Sequence, residues 1–277
     1  MSSPTTKKLK GPKRQAGATS TDDFLGGRIG IVQPRGGHRA GSDAVFLAAA
    51  VPAKSGERVL DIGAGVGVAG LCLLARVPGI LVTAVEIDPA LATLAAGNAG
   101  RNGFAEQFEV VTADVTSPGK MLRAAGLEAE TYHHLIANPP FHQDGSVRAA
   151  PDAARVSAHV MAQGGLAAWV RFFAAMAKPG ALLTLIHRPD CLGELLELLD
   201  GRFGDIAVFP LFSKRDEPAT RIIVQAKKGS RAGLSLLPGL LLHDDDGRYM
   251  AEAEAVLREG EPLRLRPAKA KGRRLGG

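Results

Sequence analysis

The run Val59-Leu60-Asp61-Ile62-Gly63-Ala64-Gly65-Val66-Gly67 constrains this chain more than any other stretch. It opens as an apolar strand and turns on glycines at every second position. It then passes into the helix pattern Val68-Ala69-Gly70-Leu71-Cys72-Leu73-Leu74-Ala75. Strand, glycine turn and helix in that order make the ligand-binding crossover of an open α/β sheet. Glycine takes positive φ and lets the backbone approach a ligand, while the first amides of the helix face whatever lies over the strand's carboxyl end. Two ligand classes use this geometry. Read from Gly65 the letters GVGVAG fit the dinucleotide pattern G-x-G-x-x-G, and read from Asp61 they fit D-x-G-x-G-x-G. The next strand, Ile80 to Glu86, ends in a second carboxylate placed to accept from both hydroxyls of a ribose, which both ligand classes carry.

A downstream segment separates the two readings. Leu135-Ile136-Ala137-Asn138-Pro139-Pro140-Phe141 is an apolar strand closed by Asn, two prolines and an aromatic. Proline removes donors and stops a strand, so packing alone does not explain the order. Chemistry does. In a stiff proline corner the Asn138 side-chain oxygen and the Pro139 carbonyl can both accept from one planar NH2 group, and Phe141 can then stack on the plane that carries it.

Asp61 with its glycines, Glu86 and NPPF, in that order, resemble the class I S-adenosylmethionine-dependent methyltransferases with an NPP(Y/F) motif. That family modifies an amine on an sp2 carbon: adenine N6, cytosine N4, guanine N2 or a glutamine side-chain amide. The resemblance implies S-adenosyl-L-methionine as cofactor and S-adenosyl-L-homocysteine as product. It implies an α/β, Rossmann-like fold: a seven-stranded, mostly parallel sheet with the last strand antiparallel and helices on both faces. The implied cofactor residues are Asp43, Asp61, Gly63, Ala64, Gly65, Gly67, Glu86, Ile87, Asp114 and Asn138, and the implied catalytic corner is Asn138, Pro139, Pro140 and Phe141. Two of these have a local alternative. Asp43, or Ser42 beside it, is a natural N-cap for the helix Ala44 to Val51, and Asp114 is a candidate cap for residues after Pro118.

Composition sets the frame around these motifs. With 277 residues, 45% hydrophobic and 22% charged, there is room for one large α/β domain, whose core must be aliphatic because aromatics make up only 5%. The formal net charge of +6 belongs to the ends. Lys7, Lys8, Lys10, Lys13 and Arg14 crowd the first twenty residues with no acid among them. Arg264, Arg266, Lys269, Lys271, Arg273 and Arg274 crowd the last sixteen, again without an acid. Such tails suit phosphate contact or plain solubility. The expected organisation is a disordered basic tail at 1–20, one domain at 21–260 and a second basic tail at 261–277. Within the domain a hairpin and helix precede a core at 57–228, and a small extension follows it. Cys72 and Cys191 imply no disulfide framework, and with no signal peptide or membrane span in the pattern a cytoplasmic protein is expected.

The remaining segments bear on the substrate. His142 to Arg155, after the NPPF corner, has no clear period and includes His142 and Arg148 beside the acceptor site. The Trp169 helix ends at Pro179-Gly180, Ala181 to His187 forms a fifth strand, and Ile206 to Phe212 and Arg221 to Ala226 form the last two. The charged connection between these two places Lys214, Arg215 and Arg221 as candidates for RNA phosphates. His133 and His134 adjoin on a strand and point apart, and Asp244-Asp245-Asp246-Gly247 lacks the spacing of a calcium loop, so no metal is expected. Within the family the chain looks most like the bacterial tRNA-valine adenine-N6 methyltransferases. The likeness lies in Gly41-Ser42-Asp43, DIGAGVG, NPPF followed by His142-Gln143-Asp144-Gly145, and the stretch around Arg221. Phe141 departs from the tyrosine of many members. That resemblance implies an RNA partner, tRNA, and adenine 37 as target. A release-factor glutamine N5 enzyme, a ribosomal-RNA guanine-N2 enzyme, an NAD-dependent oxidoreductase and a non-catalytic RNA-binding protein are the alternatives.

Overall fold

A computed structural model describes residues 18–36, 39–139 and 165–265. The chain opens with an antiparallel hairpin, β1 (Thr19–Phe24) and β2 (Ile29–Pro34), closed by a tight turn in which Gly26 has φ 65°. The first strand thus takes Thr19 and Ser20 from the expected tail. Then follow α1 (Ser42–Ala49), β3 (Arg58–Ile62), α2 (Val68–Arg76), β4 (Leu81–Glu86), α3 (Pro89–Arg101) and β5 (Phe108–Thr112). After α4 (Gly119–Ala124) and β6 (Tyr132–Ala137), the described chain resumes at α5 (Gly165–Met176). It continues through β7 (Ala177–His187), α6 (Leu192–Leu199), β8 (Phe203–Phe212) and β9 (Arg221–Lys228). Short strands β10 (Ser235–Leu236) and β11 (Leu240–Leu241) and a helical turn, α7 (Ala251–Glu254), end the fold.

The sheet order is β10-β8-β9-β7-β6-β3-β4-β5, with β11 also on β8. β9 runs antiparallel between β7 and β8, and every other pairing in this sheet is parallel. The seven longer strands are the expected set, with its last member antiparallel. Two two-residue strands extend the β8 edge to nine, and no periodic signal in the sequence announces strands that short. Both faces are covered, which is why β3 and its neighbours are continuous apolar runs. One core joins α1, α2, the hairpin and the C-terminal turn, and the other joins Leu122, Trp169, Phe173 and Leu195 of α4, α5 and α6.

Several local expectations shift. The N-cap of α1 is Gly41, with no side-chain cap from Ser42 or Asp43. β7 starts at Ala177, ahead of Pro179-Gly180. That pair lies in a bulge where the register jumps from Tyr132↔Ala177 to His134↔Leu182, and Gly180 takes φ 77°. At the chain end, Leu263 and Leu265 are buried, so packed structure reaches residue 265, past the expected boundary at 261.

Packing at the C-terminal end of α1 joins remote parts of the chain. Helix ends leave carbonyls without intrahelical partners. Here Arg76 Nη2 donates to Ala48 and Val51, the Leu263 amide to Ala49 at 2.9 Å, and Gln225 Nε2 to Ala50 at 3.2 Å. Three separate elements therefore close one helix end.

Candidate active site

Four parallel strands, β6, β3, β4 and β5, finish level with one another. Ile62 pairs with Ala137 on one side and Val85 on the other, and Glu86 pairs with Thr112. The glycine turn that leaves β3 at Gly63 therefore sits between the Asn138-Pro139 corner of β6 and Glu86 of β4, with neighbouring strands about 4.8 Å apart. The carboxyl edge of the sheet thus brings the separate motifs to one place.

Within the turn, the Gly63 and Ala64 amides donate to Val85 O at 2.9 and 3.1 Å. Gly63 has φ 67°, and a Cβ there would meet Trp169 Cη2 at 2.7 Å. Trp169, 6% exposed, is thus a core residue and also the floor against which the turn is pressed. Gly65 has φ 58°, and nothing stands within 4 Å of an added Cβ, so the turn opens outward there. Gly67 caps α2.

The two acids differ in setting. Asp61 is 2% exposed and its Oδ2 accepts from the Gly70 amide at 3.0 Å. Burial pushes its carboxyl up to about 7, opposed by the Gly70 hydrogen bond and reinforced by the Glu86 charge. Glu86 Oε2 accepts from Gly65 N at 2.8 Å and Oε1 from Asp88 N at 2.9 Å, so each oxygen keeps a second lone pair for a hydroxyl. Asp88 in turn caps α3 by accepting from Ala90 N at 2.7 Å. Beside Glu86, Ile87 is a 39% exposed aliphatic surface.

Across the turn, Pro139 is buried, and Asn138 Oδ1 is buried with no donor to it among the described residues. An acceptor held dry and unpaired is costly unless something arrives to satisfy it. Pro140, Phe141, His142 and Arg148 lie outside the described residues, as do the basic residues expected at 1–17 and 266–277.

Other expected site residues acquire partners. Asp43 Oδ2 accepts from Arg221 Nε at 2.8 Å, so the two are brought together across 178 positions of chain. Asp114 follows the end of β5, and its Oδ1 accepts from the Thr116 amide at 2.8 Å and hydroxyl at 2.7 Å. It caps its own turn, whereas α4 is capped by Pro118 with no side-chain bond. Lys214 is exposed and lies 3.8 Å from Glu217, and Arg215 is exposed beside it. His134 Nε2 meets Glu57 at 2.9 Å while His133 Nδ1 accepts from Arg58 N, so the two rings do diverge. Among the described residues no group of three or more His, Cys, Asp or Glu is placed to hold a metal, and no helix is long and apolar enough to cross a membrane.

One supporting residue carried no sequence signal. Asn98 of α3 is 1% exposed and donates to Val66 O in the glycine turn and to Val32 O in the hairpin, both at 3.0 Å, while accepting from Val32 N. It ties the turn to the N-terminal hairpin.

The family model described as methyltransferase small domain matches residues 39–174. The chain is 26% identical to the tRNA1(Val) (adenine(37)-N6)-methyltransferase of Dickeya chrysanthemi, over 87% of this chain and 95% of that protein. It is 27% identical to the protein of the same name from Tolumonas auensis, over 83% and 92% respectively. In three dimensions it is similar to a predicted O-methyltransferase from Agrobacterium tumefaciens, with TM-score 0.69 and 29% identity over 82% of this chain and 100% of that one. The relatives align with most of this chain's length, residues 39–174 resemble the methyltransferase small domain, and the chain is a class I methyltransferase.

Proposed function

We propose that this methyltransferase moves the methyl group of S-adenosyl-L-methionine to an exocyclic amine of tRNA, N6 of an adenine. The names of the Dickeya and Tolumonas relatives suggest position 37 of tRNA-Val. The observation that carries the reading is Asn138 Oδ1, a buried acceptor with no donor among the described residues, one strand from the glycine turn. An NH2 group brings two donors, one for Asn138 Oδ1 and one for the Pro139 carbonyl. A hydroxyl brings one, so the corner favours an amine over the oxygen acceptor in the Agrobacterium protein's name.

The residues present fit the cofactor. Glu86 retains lone pairs for ribose hydroxyls, Ile87 offers an aliphatic face to the adenine, Gly65 leaves the backbone open, and Asp61 lies under the turn. The cofactor supplies a sulfonium-bound methyl, electrophilic enough that no strong base is needed. The chain's own contribution is positional. Asn138 and Pro139 draw the amine nitrogen toward tetrahedral geometry, which turns its lone pair out of conjugation and toward the glycine turn. With the methyl group supplied by a bound sulfonium, the amine nitrogen held by Asn138 and Pro139 would take it and shed its surplus proton to solvent.

Tritiated methyl transfer to total tRNA, ribosomal RNA and protein fractions, followed by nucleoside analysis, tests the reading. Label is expected in tRNA as N6-methyladenosine, and label confined to protein glutamine or to guanine would overturn it. Asn138→Ala is expected to abolish transfer while cofactor affinity stays within a few fold, since it removes an interaction made to the acceptor.

A further inference from the structure

We infer that a groove beside the carboxyl edge of the sheet receives an unpaired nucleotide of the RNA substrate other than the target, with its base on Tyr249. The inference rests on the tRNA reading above and extends it to a surface that methyl transfer itself does not use. The groove has a volume of about 460 Å³ and lies between the N-terminal hairpin, the first turn of α1 and the C-terminal extension. Pockets of about 300–1,000 Å³ hold single organic groups, so one nucleotide fits. The walls are held together from both ends of the chain. Gly26 at the hairpin tip stands so close to the extension that a Cβ there would meet Arg258 O at 2.9 Å, and Arg28 Nη2 donates to Glu259 O at 2.5 Å. Leu257 and Arg258, which line the groove, belong to a single π-helical turn, Ala255–Glu259, a form that gathers at functional sites. A recess with fixed walls loses little free energy to ordering when it is filled. Its position suits a second contact to the same RNA. Ser42 on its rim precedes Asp43, which is bonded to Arg221 at the start of β9, and β8, antiparallel to β9, ends at that edge.

The side chains sort base from phosphate. Tyr249 is 40% exposed, and its ring stacks on His243 with centroids 4.6 Å and planes 29° apart. His243 Nδ1 donates to Ser213 O at 3.0 Å, which fixes the ring that backs the tyrosine. An exposed aromatic held in this way is a platform on which any base stacks, and Phe24 and Leu257 add apolar wall. Inside the groove Asp23 and Glu254 outnumber Arg258, which already pairs with Glu254 at 2.9 Å. Carboxylates repel a phosphate but accept from the N–H groups along the edge of a base. The cations lie outside. Ser213, to which His243 is tied, opens the loop of Lys214 and Arg215, and exposed Arg248 adjoins Tyr249. Acids on this rim are partly engaged, with Asp244 accepting from the Asp246 and Arg248 amides and Glu217 3.8 Å from Lys214. Charge therefore favours a base in the groove with its backbone toward the basic loop.

A Tyr249 that only braced His243 would show the same stack, so the test separates RNA affinity from stability. tRNA binding by fluorescence anisotropy, KM and kcat for tRNA in methyl transfer, and calorimetric affinity for S-adenosylhomocysteine are measured on wild type, Tyr249→Ala, Tyr249→Phe and Asp23→Ala. Loss of one base stack should weaken tRNA binding and raise KM about tenfold in Tyr249→Ala, while kcat and S-adenosylhomocysteine affinity stay within about twofold. Tyr249→Phe keeps the platform and should bind tRNA within about twofold of wild type. Asp23→Ala, at an exposed hairpin position, covers the case of a Tyr249 variant that does not fold, and should weaken tRNA binding about threefold. A bystander acid beside RNA would give tighter binding on removal, so the sign of that change is itself a readout. Unchanged tRNA affinity in Tyr249→Ala, a phenylalanine variant as weak as the alanine one, or tighter binding by Asp23→Ala overturns the inference. If the wild-type chain bound tRNA without methylating it, the proposed function would fall and the affinities would still decide the groove. A wild-type chain that bound no tRNA would overturn both.

Discussion

Asp61→Asn isolates the electrostatics beneath the glycine turn. Burial raises the Asp61 carboxyl from an ordinary 3.8 to about 7, with the Gly70 amide pulling it down and the Glu86 charge pushing it up. A carboxyl whose folded value exceeds its unfolded value keeps a proton in the folded chain that the unfolded chain has already lost. The stability it contributes is therefore complete below the unfolded value, declines as pH rises between the two, and is gone above the folded value. Between pH 5 and pH 8 that decline amounts to about 2–3 kcal/mol. The amide cannot ionise, keeps an oxygen for the Gly70 N–H, and has nearly the same shape. Urea denaturation at pH 5, 6, 7 and 8 gives the unfolding free energy of both proteins. The variant should gain on wild type steadily across the series, by about 2–3 kcal/mol in total. Stability curves that run parallel over this range, or a variant that loses ground toward high pH, would refute the reasoning and place the Asp61 carboxylate in a setting that favours its charge.

Two further substitutions probe the packing. Gly63→Ala forces a side chain onto φ 67° and into Trp169 Cη2 at 2.7 Å; it should destabilise by about 2–4 kcal/mol in chemical denaturation, and by less in a Trp169→Phe background that lacks that atom. Leu263→Ala, at a 6% exposed position beyond the expected domain end, should cost about 2–4 kcal/mol, whereas Arg264→Ala beside it should be nearly neutral in the same melt.

The parts of this site that could be read from the sequence are those whose physics is local. An apolar run followed by alternating glycines specifies a strand, an open turn and a helix within a few residues, and Asp61, Gly63, Gly65 and Glu86 stand where that grammar puts them. Asn138 was legible for the same reason, since prolines stop a strand at a known point. What stayed hidden depends on distance along the chain or on a conformation the letters do not fix. Asp43 reads as a cofactor contact or a helix cap, and nothing local announces the partner that Arg221 brings from β9. Asn98 is an ordinary polar residue in an alanine-rich helix until the hairpin folds over it. Pro179-Gly180 marks an interruption, yet only the partner strand β6 shows that the break is a bulge inside β7. The basic letters around Leu263 and Leu265 mask two apolar side chains that the core uses.

The closure of α1 has a consequence for how the protein is made. Its final carbonyls wait for Arg76, Gln225 and the Leu263 amide, so a ribosome has to reach Leu263 before this segment is sealed. Until then its apolar side chains, Phe46 and Leu47 among them, lack part of their cover. A chain that stalls before Leu263 would thus display the apolar side chains of α1, and the arrival of that residue acts as the lock on the helix.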